Sequence, residues 1–301
     1  MTGASTRVTS IDAVLFWTFP AAAQELGNRV LGTLGLLAGS QPDSGIYVAD
    51  RFLFYRANDL IDRNGHEIPV GLDLNAMANV IGTQMTFRLP WGSTYMNAAL
   101  GVPAARFGLQ TEHPEASIDR VGFADLFVQP VKIGWKMTQS DIVAGYSFYP
   151  PTVTPGPRGG LGRGYWTHEF SLGSAVYFDR GKTWHLSELV SYARNGRSHD
   201  IDLIRGSTVQ FQGGAGKNLG AVTMGMAGYG LWQVQDDRGS AVPMSLRGSR
   251  DRVFGLGPEI DIRIPAIRSQ IVLRYCHDVA AKTRPFGQII VVGLTVLAHR
   301  E

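Results

Sequence analysis

The stretch PEIDIRIPAIRSQIVLRY, from Pro258 to Tyr275, alternates between polar and apolar residues on both sides of its central PAIR. The apolar positions are Ile260, Ile262, Ile264, Ile271, Leu273 and Tyr275, and the polar positions are Glu259, Asp261, Arg263, Gln270 and Arg274. Successive side chains of a β-strand point to opposite faces, so this period of two predicts two strands joined by a tight turn. One face of the predicted hairpin is apolar and the other is charged.

Two kinds of protein carry such a hairpin. In a soluble sheet the apolar face forms the core and the charged face meets water. In an outer-membrane barrel the apolar face points outward to lipid and the polar face lines the interior. One hairpin fits both arrangements, so the rest of the chain has to distinguish them.

Length and composition exclude several classes. The chain has 301 residues with 37 glycines, 10% aromatic and 18% charged residues, and its net charge is only +3. Its basic residues are scattered rather than clustered, so we expect no nucleic-acid partner. The single cysteine, Cys276, excludes an intrachain disulfide and a cysteine-based zinc site. None of the seven histidines belongs to an H-E-x-x-H motif, and we expect no metal and no cofactor.

No stretch of the sequence combines the length and the apolar character of a membrane-spanning helix. Uncharged runs such as 13–24, 30–42 and 285–299 are shorter than the ~18–20 apolar residues that a helix needs to span a bilayer. Backbone polar groups have no water to bond to in hydrocarbon, so only helices and closed barrels can cross it. If this chain contacts membrane lipid, it must do so as a barrel.

The N-terminus carries an export signal in this interpretation. Arg7 precedes the apolar segment AVLFWTFPAAAQ (residues 13–24), in which Ala21 and Ala23 are the small residues that a signal peptidase requires. We therefore predict a signal peptide over 1–23, a periplasmic or plug-like segment over 24–44 and a barrel over 45–301. Because the apolar segment is short, the start codon is open to revision, and the alternative is a buried N-terminal segment.

Alternation and turn residues predict about twelve strands. Their approximate spans are 45–56, 72–88, 93–108, 122–137, 141–149, 164–178, 183–194, 207–216, 221–234, 252–264, 269–277 and 286–298. Several approach the ~9–11 residues that a tilted strand needs to cross a bilayer. Strands of soluble proteins are more often ~5–6 residues long.

The connections between these strands alternate between short and long. The short ones are LPWG (89–92), TQS (138–140), DRGK (179–182), KNLG (217–220) and PAIR (265–268). Long polar segments separate the other pairs, although the last of them, DVAAKTRP, is shorter than the rest. Outer-membrane barrels have short periplasmic turns at one rim and longer extracellular loops at the other. The pattern therefore predicts an all-β protein, an antiparallel transmembrane β-barrel.

The polar faces of the predicted strands give candidates for lumen-lining residues. In the opening hairpin the tight turn places Glu259 opposite Arg274, Asp261 opposite Val272 and Arg263 opposite Gln270. An arginine on the lipid face would cost ~2–4 kcal/mol at the midplane, so these charges are expected inside. The full candidate set is Asp73, Asn75, Asn79, Glu169, Glu259, Asp261, Arg263, Gln270 and Arg274. These residues either form structural ion pairs that fill a narrow barrel or line a path for solutes.

Aromatic residues near strand ends suit the girdles that mark the two membrane interfaces. The candidates are Trp91, Trp135, Trp166, Phe178, Trp184 and Trp232. The chain ends in VLAHRE, without the terminal aromatic residue found in many outer-membrane barrels.

Several motifs resemble a known family of outer-membrane proteins, associated with the meta pathway of phenol degradation. They are RVGFADLFVQPVKIGW (120–135), LGRGYWTHEFSL (161–172), RVFGLGPEIDI (252–262), DRNGHEIPV (62–70) and RYCHDVAAKTRPFGQ (274–288). The resemblance covers most of the chain after about residue 44. It implies a barrel that takes up aromatic or other hydrophobic compounds, and it supplies no residue-level binding site.

The sequence features leave four functions open. The first is a passive outer-membrane channel for small hydrophobic or aromatic solutes, with a narrow lumen set by about twelve strands. The second is a barrel lipid hydrolase, for which His185 with Ser187 or His168 with Glu169 are candidates, although no nucleophile motif surrounds them. The third is a soluble periplasmic ligand-binding β-protein, and the fourth is an adhesive barrel that binds partners through its long loops. The first interpretation requires no catalytic residue.

Overall fold

The computed structural model describes residues 31–156 and 160–300, and the predicted signal peptide over 1–23 lies outside these residues. Fourteen strands occur within the described ranges. They are β1 Gly45–Ile61, β2 Glu67–Ile68, β3 Asp73–Arg88, β4 Thr94–Glu112, β5 Glu115–Phe123, β6 Phe127–Lys136, β7 Ser140–Tyr149, β8 Thr167–Tyr177, β9 Trp184–Asn195, β10 Thr208–Asn218, β11 Val222–Gln233, β12 Arg252–Ile264, β13 Ser269–Lys282 and β14 Arg284–His299. Among these residues, no helix has the length and apolar character needed to cross a membrane.

Twelve of the strands form a closed antiparallel barrel. Each strand from β6 to β14 pairs with the next one along the chain, while β4 joins β3 to β6. The ring closes because β1 pairs with β3 on one side and with β14 on the other, through long ladders of which the second has two register shifts. Strands β2 and β5 lie off this ring. The predicted fold class and the twelve predicted strands are confirmed, with shifts of a few residues at their ends.

The connections separate by length onto the two rims. Residues 89–93, 137–139, 178–183, 219–221 and 265–268 form the short turns of one rim. Longer connections, including 150–166, 196–207 and 234–251, gather at the other. By the rule for outer-membrane barrels the short-turn rim is periplasmic, and the long-loop rim is extracellular.

Two segments predicted as loops are strands instead. The chain after β4 turns back as β5, and β13 passes to β14 through the single residue Thr283. One wall of the barrel therefore rises above the others on the extracellular side. An apolar cluster on its inner face includes Ala57, Leu74, Phe107 and Leu109, and this packing keeps the ladder intact beyond the membrane.

The opening hairpin has the predicted register. Glu259 pairs with Arg274, Asp261 with Val272 and Arg263 with Gln270. Its turn is a single 3-10 turn from Pro265, closed by Arg268 in the left-handed conformation with φ 50°. Glu259, Asp261 and Arg274 are buried on the inner face, and Ile260 between the two acids is exposed on the outer face.

Residues 31–44, which we call the lumen segment, occupy the barrel interior. The segment joins β1 at the periplasmic rim and runs upward through the lumen. Leu36 is fully buried, and Leu31 lies with Tyr229 and Ile289 in the extracellular half of the barrel. A barrel of twelve strands has more interior space than its own side chains fill, and this segment takes up part of it.

Candidate functional site in the barrel interior

The charged face of the opening hairpin holds the lumen segment. Arg274 donates hydrogen bonds to both carboxylate oxygens of Glu259, at 2.6 and 2.8 Å. The same carboxylate accepts the backbone N–H of Leu36 at 3.2 and 3.3 Å, and Arg274 also donates to the carbonyl of Gly32. The two charged groups and the two backbone groups are therefore paired with one another inside the barrel. These hydrogen bonds offset the free-energy cost of burying two charges.

Gly35 is the point of closest approach between the lumen segment and this ion pair. A Cβ atom at this position would lie 1.8 Å from a carboxylate oxygen of Glu259 and 2.1 Å from a guanidinium nitrogen of Arg274. Real Cβ atoms do not approach so closely, so only glycine fits without moving the segment.

Four further hydrogen bonds fix the segment against polar side chains of the barrel wall. On β10 and β9, Gln212 accepts the Leu34 N–H at 2.9 Å and Ser187 accepts the Gly39 N–H at 2.8 Å. On β7, Asp141 accepts the Ser40 hydroxyl at 2.6 Å. On β1, Arg51 donates to the Thr33 carbonyl at 2.7 Å. The polar inner surface of β7 to β13 is thereby largely covered by the segment.

A cavity of about 520 Å³ remains between the lumen segment and the opposite wall, and we call it the passage. The segment contributes Leu34, Leu37 and Ala38 to its lining. The wall of β3 and β4 contributes Ala76, Ala78, Val80, Pro103, Ala105 and Phe107. Polar side chains enter the lining from the opening hairpin, at Glu259, Asp261, Gln270 and Arg274, and from other parts of the wall, at Arg51, Gln84, Arg106, Asp125, Gln129 and Lys132. The volume suits a small molecule, and most of the surface is apolar.

The connection from β7 to β8 covers the extracellular end of the passage, where Leu161 contributes to the lining. Asp125, from the break between β5 and β6, accepts the backbone N–H groups of Val153 at 3.1 Å and of Arg163 at 2.8 Å. Burial raises the pKa of the Asp125 carboxyl, while these two N–H groups act in the opposite direction. The Asp125 carboxyl thus links this loop to the barrel wall through two hydrogen bonds.

Five of the predicted lumen residues lie on the inner side of the barrel, and a sixth, Arg263, lies at its periplasmic rim. Glu259, Asp261 and Arg274 are buried there, and Gln270 donates to Asp261 at 3.2 Å. Glu169 is buried on β8 and accepts the Ser147 hydroxyl at 3.2 Å, away from the opening hairpin. Arg263 is exposed at the periplasmic rim, where it donates to Asn218 at 2.9 Å and to the Gly220 carbonyl.

The other three predicted lumen residues, Asp73, Asn75 and Asn79, lie on the outer face of β3, so that prediction is wrong. Asn79 donates to Asp50 on the neighbouring outer face of β1 at 2.5 Å, and Asp73 lies 4.0 Å from Arg56. The inner face of this strand is the apolar one, with Leu74, Ala76, Ala78 and Val80. The rule of polar inside and apolar outside fails on β3 because its upper part rises above the membrane and its inner face borders an apolar passage.

Several residues that hold the lumen segment were missed by sequence reasoning. They are Arg51, Asp141, Ser187 and Gln212. Strand β9 carried a usable signal, since His185, Ser187 and Ser191 alternate there with Leu186 and Val190. Without knowledge of the lumen segment, no sequence pattern indicates a partner for these polar groups.

The arrangement does not support the hydrolase candidates. Ser187 is bonded to the Gly39 N–H of the lumen segment, and both Ser187 and His185 are buried. His168 stacks with Trp166 and Tyr146 on the outer face, whereas the next residue, Glu169, is directed inward. Within the described ranges, no group of three or more His, Cys, Asp or Glu side chains is placed to hold a metal ion.

The six predicted interface aromatics all lie at or beyond strand ends with their rings at least partly exposed. Trp91, Trp135, Phe178 and Trp184 lie near the periplasmic rim. Trp166 and Trp232 lie near the extracellular rim, and Trp232 packs edge-on against Phe254 at 4.6 Å between ring centroids. The outer surface between the two groups is dominated by exposed aliphatic side chains, as in a lipid-facing band.

Comparison with known proteins agrees with this architecture. A family model described as "Putative MetA-pathway of phenol degradation" matches residues 57–292. An outer membrane channel from Pseudomonas putida F1 has a similar structure, with a TM-score of 0.74 and 11% identity over 86% of this chain and 97% of that one. The transport unit of the autotransporter AIDA-I from Escherichia coli gives a TM-score of 0.53 and 9% identity over 94% and 96% of the two chains. No curated protein matches the sequence. The structural likenesses concern the fold, which is that of outer-membrane β-barrels.

Proposed function

Since the chain belongs to the family described as "Putative MetA-pathway of phenol degradation", we propose that it is an outer-membrane channel for passive passage of small hydrophobic or aromatic solutes. The observation that carries the proposal is the apolar lining of the passage. Leu34 and Leu37 of the lumen segment face the small apolar side chains of β3 and β4 across it.

The lumen segment determines the polarity of the path. Without it, solutes would meet the buried polar wall of Asp141, Ser187 and Gln212. With it, Gln212 and Ser187 accept backbone N–H groups of the segment and Asp141 accepts the Ser40 hydroxyl, and leucine side chains replace them as the surface that a solute contacts. A path of this kind favours apolar solutes, because moving such molecules out of water is favourable.

Polar solutes of the same size are disfavoured by the same lining. Along the wall of β3 and β4 and beside the leucines of the lumen segment, a sugar would give up hydrogen bonds to water without finding partners, which costs several kcal/mol in total. An aromatic solute with one hydroxyl would lose few such bonds. The two similar structures are an outer membrane channel and the transport unit of an autotransporter, which supports a transport role for this chain as well.

We propose further that the barrel is not an enzyme. His185, Ser187 and Ser191 share the inner face of β9, and all three are buried and absent from the passage lining. Selectivity then rests on the shape and polarity of the lining rather than on a reaction.

The test uses cells whose intact outer membrane does or does not contain the protein. The uptake rate of the fluorescent aromatic probe N-phenylnaphthylamine is measured, and the uptake of arabinose serves as the polar comparison. We expect faster uptake of the probe with no change for the sugar. Equal acceleration of both would indicate a general porin, and no acceleration of either would indicate a structural barrel, so both results contradict the proposal.

A further inference from the structure

Glu188 is a carboxyl group on the lipid-facing side of the barrel wall. On the outer face of β9 the side chains follow in the order Trp184, Leu186, Glu188, Val190 and Tyr192, and all five are exposed. Trp184 is at the periplasmic end of the strand, and Tyr192 is near its extracellular end. Glu188 therefore lies midway between the two aromatic girdles, within the hydrocarbon band.

Among the residues that the structure describes, Glu188 has no hydrogen-bond or ion-pair partner. Ionisable groups are rare at this depth, because a carboxyl in hydrocarbon has no water to bond to. A carboxyl that faces outward at this depth is stabilised when a group from outside the barrel donates a hydrogen bond to it. The surface around Glu188 indicates the kind of partner.

The neighbours of Glu188 make its surface self-complementary. Ser174 on β8 is directly opposite Glu188, and on the other side Glu188 pairs with Gly213 of β10. The hydroxyl is a hydrogen-bond donor and the carboxyl is an acceptor. Gly213 is buried against β9, where a Cβ atom would lie 2.2 Å from the Ser187 carbonyl oxygen, so no side chain flanks Glu188 on that side. Exposed side chains of Leu172 and Leu186 border this polar pair.

From this arrangement we infer that two copies of the chain associate in the membrane through this patch, which we call the Ser174–Glu188 patch. A two-fold axis along the membrane normal, passing between the two residues, places Glu188 of each copy opposite Ser174 of the other. Each serine hydroxyl then donates to a carboxyl across the interface, and both bonds form at once. The surrounding leucines pack against their counterparts.

Asp50 is a second outward carboxyl, and it serves as an internal comparison. It lies on β1, which is six strands from β9 in either direction around the ring, and so on the opposite side of the barrel. Asp50 already accepts a hydrogen bond from Asn79 of the same chain. The Asp50 carboxyl therefore has a hydrogen-bond partner within one copy of the chain, whereas the Glu188 carboxyl does not.

The experiment measures Förster transfer between donor- and acceptor-labelled copies of the full-length protein in liposomes, as a function of the protein-to-lipid ratio. We expect saturable transfer for the wild type and about tenfold weaker association for Glu188→Leu, since two hydrogen bonds are lost from the interface. Ser174→Ala should weaken association similarly. Glu188→Gln, which can still accept a bond, should retain most of it, and Asp50→Leu should leave it unchanged.

Two results would overturn the inference. One is wild-type transfer that only follows random mixing at every protein-to-lipid ratio. The other is unchanged transfer in Glu188→Leu, which would mean that the carboxyl contacts lipid rather than a second copy. The heat-dependent gel shift of each variant establishes that it is folded before transfer is compared.

Discussion

The guanidinium of Arg274 and the carboxylate of Glu259 form a two-point ion pair, at 2.6 and 2.8 Å, buried inside the barrel. The pair also bonds the backbone of the lumen segment at Gly32 and Leu36. Two cross-strand neighbours of one hairpin thereby fix a segment that is more than two hundred residues away in sequence. The polarity of the passage depends on this attachment.

Breaking one side of the pair is expected to destabilise the folded barrel strongly. In Arg274→Met the Glu259 carboxylate would stay buried without its cation, and we expect a loss of about 3–5 kcal/mol in the free energy of unfolding. Urea titration of the protein in lipid vesicles measures it. Replacing both residues, as Glu259→Leu with Arg274→Met, should recover much of the loss.

Arg263→Gln is the matched control for this experiment. Arg263 lies on the same hairpin but is exposed at the periplasmic rim, so its removal should change the free energy of unfolding by about 1 kcal/mol or less. If Arg274→Met were as mild as this control, the buried pair would not be the attachment that we describe.

Gly35→Ala should displace the lumen segment. The added methyl group would overlap the Glu259 carboxylate, so the segment must move away from the opening hairpin. We expect a larger single-channel conductance in planar bilayers, because the polar wall becomes accessible to ions. Gly181→Ala is the control, since its nearest side-chain atom would be 3.4 Å away and the substitution should fit. Identical conductance in both variants would argue against a segment held at Gly35.

Narrowing the passage should slow the aromatic probe. Ala78 lines the passage, whereas Ile81 on the outer face of the same strand is exposed and does not line it. We predict that Ala78→Phe reduces uptake of N-phenylnaphthylamine severalfold, and that Ile81→Phe leaves uptake unchanged. Equal uptake by the two variants would mean that solutes do not pass between β3 and the lumen segment.

Releasing the extracellular loop should have the opposite effect on uptake. Asp125→Ala removes the acceptor for the N–H groups of Val153 and Arg163, so the loop from β7 to β8 loses two of its hydrogen bonds to the barrel wall. We expect faster uptake of the probe, with faster proteolysis of this loop in intact cells. Asp119→Ala, at an exposed ion pair on β5, is the control and should change neither measurement. Slower uptake would show that the loop guides solutes rather than covering the entrance.

The assignment of faces on β12 has its own test. Ile260 is exposed on the outer face, and its neighbour Asp261 is buried inside. An arginine on the lipid face costs ~2–4 kcal/mol near the midplane, so Ile260→Arg should lower the yield of folded barrel strongly. Asp261→Asn should lower it little. The fraction that shows the heat-dependent gel shift measures the yield, and equal losses would contradict the assigned faces.

The sequence by itself determined the barrel. The period of two, the short turns at every second connection and the aromatic residues at strand ends are local properties, and each follows from strand geometry and from the lipid outside. The register of the opening hairpin was also predictable, because a four-residue turn leaves one way to place Glu259 opposite Arg274. Sequence motifs indicated the family for the same reason, since they mark strands and turns.

Only the tertiary structure decided what the interior is like. Whether a polar strand face borders water, lipid or another segment depends on contacts between distant residues, such as Arg274 with Gly32. The inner face of β3 is apolar because the lumen segment leaves the passage on that side, so Asp73, Asn75 and Asn79 lie outside, contrary to prediction. Alternation separates the two faces of a strand, but it does not state which face is inside. That choice is made when the barrel closes and the lumen segment occupies one side of it.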